Sequence, residues 1–427
     1  MELNAWITLL IIAGTFITLI CTKIKAEYVF FTAMTLLCLT GVLQFEETFQ
    51  GFSSSSVLTV AVLYIVIAGL KHAGALEWIV SHIMGQPKNY CMALIRLMVP
   101  VGILSSFMSN TACTALFQDV VKIWAKRLNM APSKFLIPLA YAASLGGLLT
   151  LIGTPPNLII STLYAKRTGE VMNLLTPLPI GAAIMVSCFI VILLLRNFLP
   201  VRTPQEDPKS DSTIPDALEQ VEKTHSWGRK TGPSKVFVSM GIMILMLVLS
   251  ATGVCPLTSC CLGAGLLMVL TKCCTSDQAF DEVDWRVLII FSGSVCLGEA
   301  IKVSNIDDMI TEMLFRTAGT NPYVVLTIIC AVAAITTEFL SDTGCAAMFF
   351  PIAWEAAQHL GVNPMPFVLA LMMSVSSSYS TPIATPPNTI VYKSGGYRFS
   401  DYARLGIPMK IVSLLISVFL TTALYPF

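Results

Sequence analysis

The most constraining feature of the sequence is a polar motif in two pieces that occurs twice inside strongly apolar segments. The first copy is Ser109-Asn110-Thr111 with Gly153-Thr154-Pro155-Pro156-Asn157, and the second is Ser341-Asp342-Thr343 with Ala384-Thr385-Pro386-Pro387-Asn388. Each piece of the second copy lies 231 or 232 residues after its counterpart. Polar side chains are costly in an apolar surrounding, so polar clusters placed twice at one offset predict a binding site.

The composition indicates the surrounding in which this site lies. Of the 427 residues, 55% are hydrophobic and 12% are charged, whereas a soluble domain has roughly 25% charged residues. The apolar runs are long and continuous rather than alternating, which predicts an all-α membrane protein and excludes a β-barrel. No small-residue cleavage site follows the first run, Ala5 to Cys21, so we expect it to be a retained helix.

The apolar spans form two series of the same order. The first series covers 5–22, 28–43, 57–71 with an amphipathic continuation near 74–84, a hairpin on either side of Ser109, a helix over 135–167 broken at 153–157, and 178–199. The second covers 235–252, 256–272, 285–302 with a continuation near 305–316, a hairpin around Ser341, a broken helix over 366–396, and 406–424. The series predict a first repeat at 1–199 and a second repeat at 235–427. Residues 200–234 are rich in Pro, Ser and charge and are expected to form a cytoplasmic linker.

The distribution of basic residues predicts the orientation of the chain. If the N-terminus lies outside, the cytoplasmic loops hold every Lys and Arg except Lys71, Lys166, Arg167, Lys302 and Arg316. Counting each hairpin as re-entrant gives each half an odd number of crossings, so the two halves are expected to be inverted relative to each other. Inverted repeats with re-entrant hairpins and broken helices are typical of secondary transporters.

The Pro-Pro pairs determine the expected chemistry, because two adjacent prolines interrupt a membrane helix. Unwinding frees the carbonyls of Gly153 and Ala384, which suit a small hard cation. Half-helices beginning at Asn157 and Asn388 would offer amide donors and a positive dipole end to an anion. The polar hairpin tips add hydroxyl and amide donors. Such groups can hold a carboxylate or sulfate without a fixed positive charge, so co-bound cations can supply the charge and depart with the anion.

Other interpretations remain open at the level of sequence. A single Thr-Pro is usually a kink and a single Ser/Asn/Thr cluster a helix contact, but the repetition of both favours a transport site. A channel also uses unwound carbonyls, and counterflow of labelled anion would distinguish it from a carrier. An enzyme is disfavoured because the histidines lie near span ends or in the linker, away from the repeats: His72, His82, His225 and His359. The 13 cysteines lack zinc or redox spacing and are expected to pack as small apolar residues.

At the repeated motifs the chain resembles the divalent anion/sodium symporters, which carry dicarboxylates, citrate or sulfate. The resemblance covers nearly the whole chain and rests on 153–159, 384–392 and Gly-Gly-Tyr-Arg-Phe-Ser-Asp-Tyr at 395–402. It implies an elevator-type homodimer with a scaffold domain and a transport domain. It also implies two sodium sites, one at Ser105, Ser109, Asn110 and Gly153 and the other at Thr337, Leu340, Asp342 and Ala384. Asn157 is a further candidate cation ligand. The substrate is expected at Asn110, Thr111, Thr343, Thr385 and Pro386, with Ser109, Thr154, Pro155, Asp342 and Asn388 beside it.

The chain departs from the family pattern in two places. An opening span present in better-known members is missing, which again predicts an external N-terminus. Asp342 stands where the family usually has Asn, and a carboxylate beside a dianion is repulsive unless it is protonated or paired with a cation. It can strengthen a sodium site, carry a coupled proton, or belong to an exchanger.

These observations predict a carrier of a divalent anion, a C4-dicarboxylate coupled to sodium. Sulfate or citrate as substrate, proton coupling and anion exchange remain alternatives. We expect a homodimer embedded in lipid in a bacterial inner membrane, a small anion as its partner, and no nucleic acid.

Overall fold

The computed structural model describes residues 3–21, 24–75, 87, 89–202, 233–252, 254–304, 319–338, 340 and 342–427. In these ranges the chain is helical and contains no β-strand. Most of the predicted linker, nearly all of the two amphipathic continuations, and Ser341 lie outside the described residues. The prediction of an all-α chain is confirmed.

The first half of the chain contributes helices α1 to α9. They are α1 Leu3–Cys21, α2 Ala26–Leu39, α3 Phe45–Phe49, α4 Ser55–His72, α5 Tyr90–Ser105, α6 Asn110–Arg127, α7 Ser133–Gly146, α8 Pro155–Thr168 and α9 Leu178–Leu194. The second half contributes α10 to α18 in the same order. They are α10 Pro233–Ala251, α11 Leu257–Leu270, α12 Ser276–Asp281, α13 Trp285–Val303, α14 Pro322–Thr336, α15 Asp342–Leu360, α16 Met365–Val375, α17 Pro386–Gly395 and α18 Phe399–Leu424.

Each broken helix is interrupted next to its Pro-Pro pair, as predicted, but the unwound residues lie before the prolines, because the second halves of the broken helices begin two residues early. Helix α8 begins at Pro155 and α17 at Pro386, rather than at the asparagines. Proline is tolerated in the first turn because the amide protons there have no partner within the helix. Helix α7 ends at Gly146 and is followed by a short 3₁₀ turn at Gly147–Leu149, and α16 ends at Val375, so each break is longer than the Pro-Pro motif itself.

Helices of the first half of the chain pack against helices of the second half. Helix α4 packs on α11, and α2 packs on α13. In the same way α8 packs on α15, while α17 packs on α6 and α7. The long closing helices α9 and α18 also lie against each other. Each broken helix is therefore surrounded by elements of the other half, which brings the two polar motifs into one region.

Four described helical segments are long and apolar enough to cross a membrane: Phe45–His72, Leu178–Phe198, Ser234–Ala251 and Phe399–Leu424. Large apolar side chains on their outer faces and on α2 are exposed, among them Leu39, Leu194 and Phe419. Hydrocarbon is the surrounding that such faces require. The polar motifs lie away from these faces, and Thr154, Asn157, Thr385 and Asn388 are buried.

Candidate functional site

Two sets of residues at equivalent positions surround the two helix breaks. We call Ser105, Asn110, Gly147, Gly153, Thr154 and Asn157 the first half-site. Their counterparts 231 or 232 residues later, Thr337, Asp342, Ser378, Ala384, Thr385 and Asn388, are the second half-site. Ten of these twelve positions belong to the sequence motifs or to the ligands that the resemblance implies, and the other two are Gly147 and Ser378.

Asn157 closes the first break. Its amide nitrogen donates to the carbonyls of Gly147, at 3.3 Å, and Thr150, at 2.9 Å. The Thr150 hydroxyl in turn donates to the carbonyl of Ser106 at the end of the preceding hairpin arm, at 2.5 Å. These bonds satisfy carbonyls that the helix has released and tie the break to the hairpin.

Asn388 closes the second break with the same bonds. Its amide nitrogen donates to the carbonyls of Ser378, at 3.2 Å, and Thr381, at 3.0 Å. The Thr381 hydroxyl donates to the carbonyl of Glu338, at 3.1 Å. Every partner lies 231 or 232 residues after its counterpart. We call this arrangement the asparagine clamp: an asparagine that bonds two carbonyls of a break, with a threonine that bonds the break to its hairpin. The chain forms it twice.

Asn110 and Gly147 pack closely in the first half-site. Asn110 is the first residue of α6, and its Oδ1 accepts a hydrogen bond from Ser105 Oγ at 2.7 Å. A Cβ atom added to Gly147 would lie 2.7 Å from Asn110 Oδ1 and would also collide with the methyl group of Thr154. Gly147 therefore allows the hairpin tip and the start of α8 to meet, which brings Asn110 and Thr154 together.

Asp342 takes the place of Asn110 in the second half-site. It is the first residue of α15, and its Oδ1 accepts from Ser378 Oγ at 2.8 Å. Thr337, the counterpart of Ser105, instead donates to the carbonyl of Ala334 at 3.1 Å. Asp342 thus accepts its hydrogen bond from Ser378, at the position of Gly147, whereas Asn110 accepts the corresponding bond from Ser105 of the hairpin.

Ser376 connects the two half-sites. Its hydroxyl lies 3.5 Å from Thr154 Oγ1 and donates to Asn157 Oδ1, also at 3.5 Å. Ser376 is the first residue after α16, in the second break, whereas its counterpart in the first half is Leu145. The second break therefore bonds to the first half-site through Ser376, and Leu145 has no hydroxyl with which to form the reciprocal bond.

A buried ion pair lies beside the second half-site, and the sequence motifs do not include it. Glu338 Oε1 accepts from the backbone N–H of Ser380, at 3.0 Å, and from Lys410 Nζ. Lys410 lies on α18 and also donates to the carbonyl of Ala334 at 2.6 Å. The available signal was a single Glu in the hairpin and a single Lys in the predicted span 406–424.

The remaining predicted residues lie around the same breaks with different exposure. Thr337, Leu340, Thr343 and Thr385 are buried, Ser109, Thr111, Pro155 and Ala384 are half-buried, and Pro386 is exposed. Five side-chain oxygens on residues in or beside the second break are buried and have no hydrogen-bond partner among the described residues: Glu338 Oε2, Tyr379 Oη, Ser380 Oγ, Thr385 Oγ1 and Asn388 Oδ1. Oxygens of this kind suit a hard cation or a ligand donor.

A comparison with known families identifies the class of protein. The model of the citrate transporter family matches residues 7–341 and 296–427. The chain belongs to the citrate transporter family. It is a multi-pass integral membrane transporter of the divalent anion:sodium symporter type, and it is not an enzyme.

Individual relatives agree with this family. The sodium-dependent dicarboxylate transporter SdcS of Staphylococcus saprophyticus is 24% identical, over 78% of this chain and 69% of its own length. A protein of Chlamydomonas reinhardtii named as a sodium/sulfate cotransporter is 36% identical over 35% of this chain and 17% of its own length. The YdaH transporter of Alcanivorax borkumensis has a similar fold, with a TM-score of 0.62 at 13% identity over 99% of this chain and 97% of that chain.

Proposed function

We propose that this protein moves a C4-dicarboxylate across the membrane together with sodium ions. The observation that carries the proposal is the pair of clamped helix breaks, joined through Ser376, with the N-termini of α6, α8, α15 and α17 at their polar residues. Helix N-termini favour anions, and unwound carbonyls with free oxygens favour cations. One region that offers both is suited to cotransport.

The anion is proposed to contact the first half-site and the hairpin tips. Asn110, Thr111 and Thr154 lie at the N-termini of α6 and α8 and are uncharged, so nothing there repels a carboxylate. Thr343, Thr385 and Pro386 would contact the anion from the other side. The first half-site contains no Lys or Arg, and release of the anion is therefore not opposed by a fixed positive charge.

Two sodium ions are proposed, one at each break. The residues of the first site would be Ser105, Ser109, Asn110 and Gly153, and those of the second Thr337, Leu340, Asp342 and Ala384. The buried oxygens of Thr385 and Asn388 support a cation at the second break, because they lack partners among the described residues. The Asp342 carboxylate adds a negative charge there, which we propose is compensated by sodium.

The transport cycle is proposed to use an elevator motion in a homodimer. The two series of helices, with inverted orientation, would give two hairpins that enter from opposite sides of the membrane. A transport domain of hairpins and broken helices would move against a scaffold that contains the dimer interface. A bacterial inner membrane is the proposed location.

The second candidate substrate is sulfate. The 36% identity to a sodium/sulfate cotransporter over 156 residues supports this alternative, whereas the similarity to SdcS is lower but covers more of the chain. Thr-Pro-Pro in both copies of the motif favours a C4-dicarboxylate. Both anions carry two negative charges, so they differ chiefly in the length of pocket that they need.

The direct test is uptake by purified protein in liposomes. Labelled succinate, citrate and sulfate are supplied separately under an inward sodium gradient, an inward proton gradient, or neither. We expect saturable succinate uptake that requires the sodium gradient, with exchange of internal for external label. Sulfate uptake without succinate uptake would mean that sulfate, and not a C4-dicarboxylate, is the substrate. Uptake without saturation or counterflow would indicate a channel.

A variant of the first half-site connects this activity with the geometry. Asn110→Ala removes the amide at the start of α6 and is expected to abolish uptake while the thermal transition is retained. The matched control is Asn173→Ala, because Asn173 lies in an exposed loop and bonds to Ala251 and Leu175. Loss of folding in Asn110→Ala, with a normal control, would contradict a binding role for Asn110.

A further inference from the structure

The Glu338–Lys410 pair is the most buried ion pair among the residues that the structure describes. The side chains of Lys410 and Glu338 are 13% and 6% exposed, whereas those of Lys71 and Glu282 are 42% and 30% exposed. Removing two charges from water is expensive, and such a pair often contributes little net stability. Its presence at this place therefore calls for a role other than stability.

The pair has no equivalent in the first half of the chain. Ser106 occupies the position of Glu338, because it lies 232 residues earlier and its carbonyl accepts from the clamp threonine in the same way. The closing helix α9, which corresponds to α18, contains no charged residue. The ion pair thus belongs to the half-site that carries Asp342.

The break itself connects the ion pair to Asp342. Ser378 donates to Asp342 Oδ1 at 2.8 Å, and two residues later the N–H of Ser380 donates to Glu338 Oε1 at 3.0 Å. Both carboxylates therefore hold the same short unwound segment, on which a cation would also be coordinated. Only one oxygen of Glu338 is used, since Oε2 is buried and has no partner among the described residues.

The charges of this cluster can be counted. Glu338 and Asp342 each bring one negative charge when ionised, and Lys410 brings one positive charge. The net charge is one negative unit, which one mobile monovalent cation balances. Without Lys410 the cluster would carry two negative units. If one of the two carboxylates were removed, the cluster would be neutral.

We propose that Lys410 is a tethered counter-cation that sets the sodium affinity of the second half-site. It neutralises Glu338, so that a single surplus negative charge attracts the transported cation. Water screens charges less in a buried site than at the surface, so changing the surplus charge alters cation affinity. The proposal deepens the sodium coupling proposed above and rests on it, and it adds two positioning residues, Glu338 and Lys410.

The test measures sodium binding without any anion. The thermal transition of the purified protein in detergent is followed against sodium chloride, with choline chloride holding the ionic strength constant. Lys410→Met is expected to lower the half-saturating sodium concentration by about tenfold, and Glu338→Gln to raise it by about tenfold. The double variant Glu338→Gln/Lys410→Met restores the surplus of one charge and is expected to return to the wild-type value.

A purely structural role gives a different pattern. Each single variant would then lower the transition temperature, and both would shift the sodium dependence in the same direction or leave it unchanged. A shift of the sodium dependence in the same direction in both single variants, or no shift in either, overturns the proposal. A double variant that keeps the sodium dependence of one single variant also overturns it. If Lys410→Met does not fold, the signs for Glu338→Gln and the double variant still decide, because they are predicted to differ.

The matched control is the pair Arg167–Glu355, which is partly buried with an N–O distance of 3.0 Å and lies outside both half-sites. Arg167→Met/Glu355→Gln is expected to leave the sodium dependence unchanged. Because binding is measured without an anion, failure of succinate uptake leaves this test intact. Conversely, uptake with wild-type sodium dependence in both single variants would reject the counter-cation while leaving the transport proposal in place.

Discussion

The two half-sites share one backbone arrangement and differ in their chemistry. Each has an asparagine that holds two carbonyls of the break and a threonine that ties the break to its hairpin. The first half-site is uncharged. The second has Asp342 in place of Asn110 and the Glu338–Lys410 pair beside it. The comparison indicates that the clamp maintains the backbone of each break, and we propose that the positions that differ set how strongly each break attracts a cation.

The half-sites also differ in how closely their backbones approach. Gly147 and Gly153 stand in the first half-site where Ser378 and Ala384 stand in the second. A Cβ atom on Gly153 would collide with the carbonyl oxygen of Gly147 and lie 2.7 Å from its Cα. Backbone atoms cannot rotate away as a side chain can, so the first break tolerates no added methyl group.

The largest expected effect comes from adding that methyl group. Gly153→Ala should destabilise the protein by roughly 3 kcal/mol, because overpacking against fixed backbone is costly, and should abolish uptake. The reciprocal change Ala384→Gly only removes a half-buried methyl group and should cost about 1 kcal/mol. Thermal transitions and uptake of both variants check the asymmetry. Equal losses of stability and uptake in the two variants would mean that the two breaks are packed alike. The difference in backbone approach between the half-sites would then be wrong.

The sequence predicted the breaks because proline has a local and unavoidable effect on a helix. It also pairs Asn110 with Asp342 and Gly153 with Ala384 by a common offset, and the hydrogen bonds of Asn157 and Asn388 recur at the same offset. The helix starts were placed two residues late, since the prolines themselves occupy the first turn. The short helices α3 and α12 were not predicted, because five or six residues carry too little periodicity to be recognised.

Contacts between distant parts of the chain could not be predicted. Glu338 and Lys410 are 72 residues apart, and nothing in the sequence pairs them. Ser376 reaches Asn157 across 219 residues, and its role depends on how the halves cross. The sequence pattern predicts Asn157 as a cation ligand, whereas its amide nitrogen is used by the clamp and its Oδ1 accepts a hydrogen bond from Ser376. The assignments of substrate and sodium ligands stay predictions.

The next largest effect tests whether the two clamps are equivalent. Asn157→Ala and Asn388→Ala each remove two hydrogen bonds and leave two buried carbonyls without a donor, which should cost roughly 2 kcal/mol in either half. Denaturation of the two variants in detergent should therefore give similar losses. A loss confined to one variant would show that one break is held by other contacts and that the shared clamp is only a geometric coincidence.

The charge difference is tested by exchanging the residues at the starts of α6 and α15. Asp342→Asn removes the surplus negative charge and should raise the sodium concentration for half-maximal uptake by about tenfold while coupling is retained. Asn110→Asp places a carboxylate where the anion is proposed to bind and should abolish uptake by repulsion. Wild-type uptake that follows a proton gradient without sodium, and that is uncoupled from the gradient in Asp342→Asn, would instead make Asp342 the carrier of a coupled proton.

The smallest expected effect concerns Ser376, the contact between the half-sites. Both of its hydrogen bonds are long, at 3.5 Å, so each should contribute less than the ordinary value of about 1 kcal/mol. Ser376→Ala is therefore expected to lower stability by about 0.5 kcal/mol. It should leave the sodium dependence unchanged, because its partners Thr154 and Asn157 are not among the residues proposed above to hold either sodium ion. Ser378→Ala is the matched comparison, since it removes the donor to Asp342 and should shift the sodium dependence. Sodium titrations of the thermal transition distinguish the two serines: a shift in Ser376→Ala as large as that in Ser378→Ala would mean that the half-sites act as one charged unit, and the division into a neutral and a charged half would have to be abandoned.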